Sequence, residues 1–143
     1  MADSVATKYI YPPNYSGTNG HRRYVINCTN KSDGTGEVDV VKADRSAIYA
    51  YGGASREPAV ATKLVVEKIE YTVAGNMTVT IEWDYTTNEV IAVLKDQSGT
   101  VDFTKQGGAV PSSPTGGTGD IVFTTQAAPN ASYNITLHLV AKG

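Results

Sequence analysis

Two histidines, His21 and His138, and one cysteine, Cys28, are the chain's only imidazoles and thiol. A hydrolytic triad needs a base histidine held in place by a third group. His138 falls on the polar phase of an alternating run, where it faces solvent or is hydrogen-bonded. His21 follows Gly17 and Gly20 in a segment with nothing to hold a base. No H-x-x-x-H or C-x-x-C spacing occurs, so a zinc site built from His and Cys is excluded. Cys28 stands alone, which rules out an intrachain disulfide, and within the run YVINCT it reads as a small core residue.

Oxygen ligands and carboxylate pairs come next. Asp33-Gly34-Thr35-Gly36-Glu37 sets two acids four apart around glycines. That pattern suits calcium, but it offers too few ligands, and Asp-Gly is an ordinary hairpin signal. Gly116-Gly117-Thr118-Gly119-Asp120 has the glycines of a phosphate cradle. It lacks the Lys-Ser/Thr of a P-loop and any following helix, so a flexible loop is the better reading. Glu70 and Glu82 would face each other if their strands paired, as sugar hydrolysis requires, although exposed strand faces carry such residues routinely. Six N-x-[ST] sequons begin at Asn14, Asn27, Asn30, Asn76, Asn130 and Asn134. Without a signal peptide they follow from a composition crowded with Asn, Thr and Ser. The expectation is a non-enzyme with no cofactor and no metal.

The elements that would position any site are strands. Met77, Val79, Ile81 and Trp83 alternate with Thr78, Thr80, Glu82 and Asp84, a period of two that a helix would scatter around its circumference. With the run from Lys63 to Val73 before them and a turn at Ala74-Gly75-Asn76, they read as a hairpin, Lys63–Asp84, with Trp83 as a core anchor. The first half of that unit changes phase. Either it is covered on both faces, or a bulge lies near Glu67-Lys68. Further strands are expected at Tyr24–Thr29, Glu37–Asp44, Ser46–Tyr51, Glu89–Lys95, around Val101 and Phe103, at Asp120–Thr125 and at Ser132–Val140. Gly52–Ala61 reads as a connection. Together they predict an all-β protein, an antiparallel β-sandwich or jelly roll of about eight or nine strands.

The chain has 143 residues and a net charge of −2. It is long enough for one domain with a real core, and its charge makes no case for nucleic acid or membrane. No signal peptide and no membrane-length apolar run is present, so a soluble protein made in a cytoplasm is expected. Residues 1–23 are set apart. Tyr9, Tyr11 and Tyr15 flank Pro12-Pro13, which forbids a helix, and residues 1–32 carry Lys8, Arg22, Arg23 and Lys31 against Asp3 alone. This stretch reads as an extended arm before a domain over 24–143, with Tyr9, Tyr11, Tyr15, Arg22 and Arg23 as partner-binding anchors. The competing reading is an edge strand packed on its own domain. A second adaptable segment, Lys105–Gly119, is rich in Gly, Pro and Ser. Lys105, Val110, Pro111 and Pro114 are its partner-binding candidates.

Several segments together carry a family likeness: Asn30–Glu37, the Lys63–Asp84 unit, Val101–Lys105 with Gly107-Gly108, and Gly116–Thr125. In order and spacing they resemble small virion structural proteins of tailed bacteriophages, above all the β-sandwich decoration (cement) proteins on the outside of the head. The resemblance covers roughly residues 24–140. It implies a non-enzymatic protein made in a host bacterial cytoplasm. Such a protein joins the outer surface of the virion, binds the major capsid protein across joints between subunits, and self-associates in some cases. Many weak contacts would then act together through avidity. Two other readings stand beside it. One is a tail or fibre subunit. The other is a carbohydrate-binding sandwich presenting Tyr49, Tyr51, Tyr71 and Tyr85, of which Tyr71 is in phase with core residues Ile69 and Val73.

Overall fold

A computed structural model describes residues 4–51, 57–112 and 115–142. Among them the chain forms eleven strands, β1 (Ser4–Tyr11), β2 (Arg23–Lys31), β3 (Val40–Ala43), β4 (Tyr49–Tyr51), β5 (Pro58–Val60), β6 (Lys63–Ala74), β7 (Met77–Trp83), β8 (Glu89–Lys95), β9 (Ser98–Asp102), β10 (Ile121–Ala127) and β11 (Ser132–Lys142). A five-stranded sheet runs β1-β2-β11-β6-β9, a four-stranded sheet runs β3-β10-β7-β8, and β4 and β5 form a small third sheet. Every pairing between these strands is antiparallel. The all-β antiparallel sandwich expected from the sequence is the observed fold, with more strands than expected. Two of the additional strands are β1 and β5, and β5 lies inside the stretch read as a connection.

One cluster of buried side chains joins the two large sheets. Ile26, Ile69, Ile135 and Leu137 come from the five-stranded sheet; Val79, Ile81, Trp83, Ile121 and Phe123 come from the four-stranded one. Each is at most 2% exposed, and full burial of one such aliphatic side chain stabilises the fold by about 1.5–3 kcal/mol. The alternation in Met77–Trp83 is realised as read: Met77, Val79, Ile81 and Trp83 are buried, while Thr78, Thr80 and Glu82 are half-buried.

The pairing within Lys63–Asp84 differs from the expectation. β6 pairs with β11 and β9, whereas β7 pairs with β10 and β8, so the two strands belong to opposite sheets. Gly75 (φ 84°) and Asn76 (φ 64°) form a corner between the layers, not the tip of a hairpin. A Cβ on Gly75 would lie 2.8 Å from the Cα of Ala131, so only glycine lets the corner seat against the turn before β11. Alternation and a tight turn specify strands and a reversal; they do not specify which strand lies alongside. Here β6 finds its register along the whole of β11, from Ser132↔Ala74 to Lys142↔Lys63. Glu70 and Glu82 therefore lie on different sheets, and the carboxylate pair of a glycosidase is not formed.

The phase change in β6 has both causes considered from the sequence. Leu64, Val65 and Val66 are all buried, so both faces are covered. The register also shifts where His138↔Lys68 gives way to Leu139↔Val66, leaving Glu67 as the extra residue. The expected strands Glu37–Asp44 and Ser46–Tyr51 shrink to β3 and β4. Between them the Asp44 carboxylate caps a 3-10 turn over Arg45–Ala47 by accepting from the Ser46 backbone N–H at 2.9 Å.

Candidate docking surface

Among the described residues the two large sheets have four edge strands, β1 and β9 in one and β3 and β8 in the other, and two outer faces. β1 forms one edge of the five-stranded sheet, pairing with β2 from Ser4↔Lys31 to Tyr11↔Val25. Of the segment read either as a free arm or as an edge strand, residues 4–11 are an edge strand. Among the described residues no strand pairs with their other edge, the usual template for strand addition.

The five anchors expected in this segment divide. Tyr9 and Tyr15 turn inward onto Tyr24, with ring centroids 6.3 and 5.0 Å from it and 5.3 Å from each other. The Tyr24 hydroxyl donates to the carbonyl of Tyr49, and the Tyr49 N–H reaches the Tyr15 hydroxyl at 3.3 Å. Burial pushes the Tyr9 phenol up to about 12 and the Tyr24 phenol up as well. Tyr9 and Tyr15 thus pack, half-buried, against the end of the core, because a tyrosine gains more from packing its ring than from standing in water. Tyr11 stays 52% exposed, edge-on to His21 at 6.3 Å. Arg22 is exposed. Arg23 is paired with Glu67, the bulged residue of β6.

The long loop is pinned at several points. Lys105 is exposed within a 3-10 turn over Thr104–Gln106. Ala109 bridges Val66 through backbone hydrogen bonds of 2.7 and 3.0 Å. Val110 is 47% exposed, and Pro111 lines a shallow groove of about 500 Å³ with Arg45, Lys63, Tyr85 and Thr118. Pro114 lies outside the described residues. In Gly116–Asp120 the amides of Thr118 and Gly119 already donate to the Asp84 carbonyl at 3.1 and 2.9 Å. A Cβ on Gly117 would come within 2.4 Å of the Tyr85 Cα, so this glycine serves close packing and its neighbours' amides are not free for a phosphate. Arg45 in the groove is also engaged, donating to the carbonyls of Thr118 at 2.6 Å and Ala61 at 2.5 Å.

The outer faces differ in chemistry. The five-stranded sheet presents Asn27, Asn134 and Thr136, with the Asn27 amide donating to Asn134 at 2.7 Å and to Thr136 at 3.0 Å. Beside them His138 Nε2 meets Glu70 Oε1 at 2.5 Å, which places this histidine in a surface pair. The four-stranded sheet presents Val41, Val90 and Val93, which are 46%, 53% and 51% exposed. Val41 pairs with Val122, Glu82 with both Val122 and Val90, and Thr80 with Val93. Burial among these groups raises the Glu82 carboxyl above its usual range, and nearby Asp39 adds to the effect. The valines went unnoticed in the sequence because, one or two per strand, they become a patch only when four strands align.

The carbohydrate candidates are spread over several elements. Tyr49 and Tyr51 lie on β4 and Tyr71 on β6, where its hydroxyl would be 3.1 Å from a Cβ on Gly99; Tyr85 lies beyond β7 in the groove. Tyr49, Tyr71 and Tyr85 are half-buried and Tyr51 is 64% exposed. Among the described residues, no group of three or more His, Cys, Asp and Glu side chains is placed to hold a metal. Nor is any helix long and apolar enough to cross a membrane.

The turn Asp33–Glu37 divides in two. Asp33 Oδ1 accepts from the N–H and hydroxyl of Thr35 at 3.0 and 2.6 Å, an ordinary Asx turn. Glu37 points the other way, into the sandwich. Its Oε1 accepts from Tyr133 Oη at 2.6 Å and Asn30 Nδ2 at 2.9 Å, and its Oε2 lies 2.6 Å from Lys42 Nζ. Burial, and the acceptor at Glu37, drive the Tyr133 phenol far upward. The sequence offered no sign that Glu37 and Lys42 are buried, because acid and lysine within a polar turn and a short strand ordinarily mark surface.

No protein-family model matches the chain, and no curated protein matches it.

Proposed function

We propose that this protein is a non-enzymatic decoration protein of a phage head, docking on the major capsid protein through the free edge of β1. The observation that carries this reading is the edge itself. Ser4–Tyr11 lies at the rim of the five-stranded sheet and exposes Val5 (46%), Ile10 (49%) and Tyr11 (52%) beside Lys8. Unprotected edges with exposed apolar side chains invite pairing, and folded proteins usually blunt them. Avidity over many copies makes a modest contact of this kind sufficient. The resemblance of residues 24–140 to head decoration proteins supports the choice of partner, and the rigid sandwich supplies a body that transmits load between its contacts.

The test is co-sedimentation with expanded empty phage heads stripped of their decoration layer. Wild-type protein is expected to pellet with the heads, and the variant Ile10→Asp with Tyr11→Ala to remain in the supernatant while keeping the wild-type melting curve. Failure of the wild type to pellet overturns the capsid reading. Equal pelleting of the variant overturns the edge as the contact. Labelled protein found on tails would transfer the same surface to a tail component.

A further inference from the structure

We propose that Lys42 and Asn30 become joined by a side-chain amide bond, formed by the folded chain itself with Glu37 as the proton-transfer group. Intramolecular transamidation needs an amine, a carboxamide and a carboxyl group between them, held in a dry place. All three are present here. The side chains of Lys42 and Glu37 are 2% and 4% exposed, and Asn30 is 3% exposed. One carboxylate holds both reactants: Oε2 meets the Lys42 amine at 2.6 Å, and Oε1 meets the Asn30 amide nitrogen at 2.9 Å. The Tyr133 hydroxyl fixes Oε1 from a third side at 2.6 Å. The rings of Phe123 and Tyr133 flank the amine, 5.7 and 6.0 Å from Nζ.

The backbone aims the nucleophile. Ile121 faces Ala43 and Val122 faces Val41, so Lys42 is the extra residue of a β-bulge in β3. Bulges re-aim side chains, and this one turns a lysine into the core directly after half-buried Val40 and exposed Val41. A buried ion pair seldom stabilises a fold more than apolar residues of the same volume, so stability alone gives weak reason to keep a lysine there.

The step balances without a cofactor or a change of oxidation state. Lys42 Nζ passes a proton to Glu37 Oε2 and attacks Asn30 Cγ as a neutral amine. Glu37 then delivers the proton to the departing Nδ2. The Nζ–Cγ bond forms, the Cγ–Nδ2 bond breaks, and ammonia leaves, carrying away the remaining proton of the original ammonium as NH4⁺. The product ties β2 of the five-stranded sheet to β3 of the four-stranded sheet, so the cross-link spans the two layers.

Mass spectrometry of the purified, denatured protein decides it. The wild type is expected about 17 Da (one ammonia) below the mass of its sequence. After trypsin, Tyr24–Lys31 should remain attached to Ser32–Arg45, with no cleavage after Lys42. Lys42→Arg should show its full sequence mass. The near-isosteric Asn30→Asp should reach the same linked product by losing about 18 Da as water. Full mass in the wild type overturns the proposal. So does a loss of ammonia with normal cleavage after Lys42, which would mark a cyclic imide at an asparagine instead.

Discussion

At one end of β2, Tyr24 lies beneath Tyr9 and Tyr15; at the other, Asn30 lies beside Glu37, Lys42 and Tyr133. Both clusters close an end of the same core, by different physics. Tyr9 and Tyr15 pack half-buried rings on Tyr24 and leave Tyr11 at the surface. Tyr9, Tyr15 and Tyr24 are joined by ring contacts and phenol hydrogen bonds, so losing one removes packing and one modest hydrogen bond. The other end places an acid and a lysine out of water, and such groups tolerate burial only while every partner is present. The aromatic end should therefore fail gradually and the polar end abruptly.

The sharpest way to break that contrast is Glu37→Ala. It strands the Lys42 amine in the core and should destabilise the fold by about 3–5 kcal/mol in urea denaturation. The double change Glu37→Leu with Lys42→Met should recover the part of that loss due to the stranded charge, but not the part due to the proposed cross-link, which it also removes. A mild effect of Glu37→Ala would place the two ends in the same class. Next in size, Tyr24→Phe removes only the bond to the Tyr49 carbonyl and should cost about 0.5–1.5 kcal/mol by the same measurement.

Alkaline pH probes the aromatic end directly. The Tyr9 phenol is raised to about 12 in the folded state by burial, then by Tyr15 and Asp44. Its contribution is fully present below the unfolded tyrosine value of about 10 and is lost as pH rises through the folded value. Stability should fall between about pH 10 and pH 12, less steeply in Tyr9→Phe. Cys28, raised to about 12 by burial, has the same sign, as do Tyr24 and Tyr133, so a residual slope remains in Tyr9→Phe. The smallest effect is expected at Tyr11→Ala, within about 0.5 kcal/mol of wild type, because that ring faces solvent.

Much of the candidate surface was legible only in part. The tyrosines were found by type and by their proline neighbours, but which of them face outward depends on how β1 docks on β2. The exposed valines of the four-stranded sheet were invisible, since Val41 and Val90 are far apart in the chain and share a face only through β10 and β7.

The sequence by itself determined the all-β class, the buried phase of Met77–Trp83, the lone core thiol at Cys28 and the irregularity at Glu67. These are local matters of period two and of side-chain size, and each could be read within about ten residues. Tertiary structure alone decided that β6 and β7 part company into opposite sheets, that residues 4–11 form an edge, and that Glu37 and Lys42 meet inside. Each depends on a partner farther along the chain: β11 for β6, β2 for β1, and Tyr133 for the buried pair. A pattern of alternation states that a strand has an inner face. It does not state what that face will meet, and the choice falls to whichever partner buries the most without stranding a polar group.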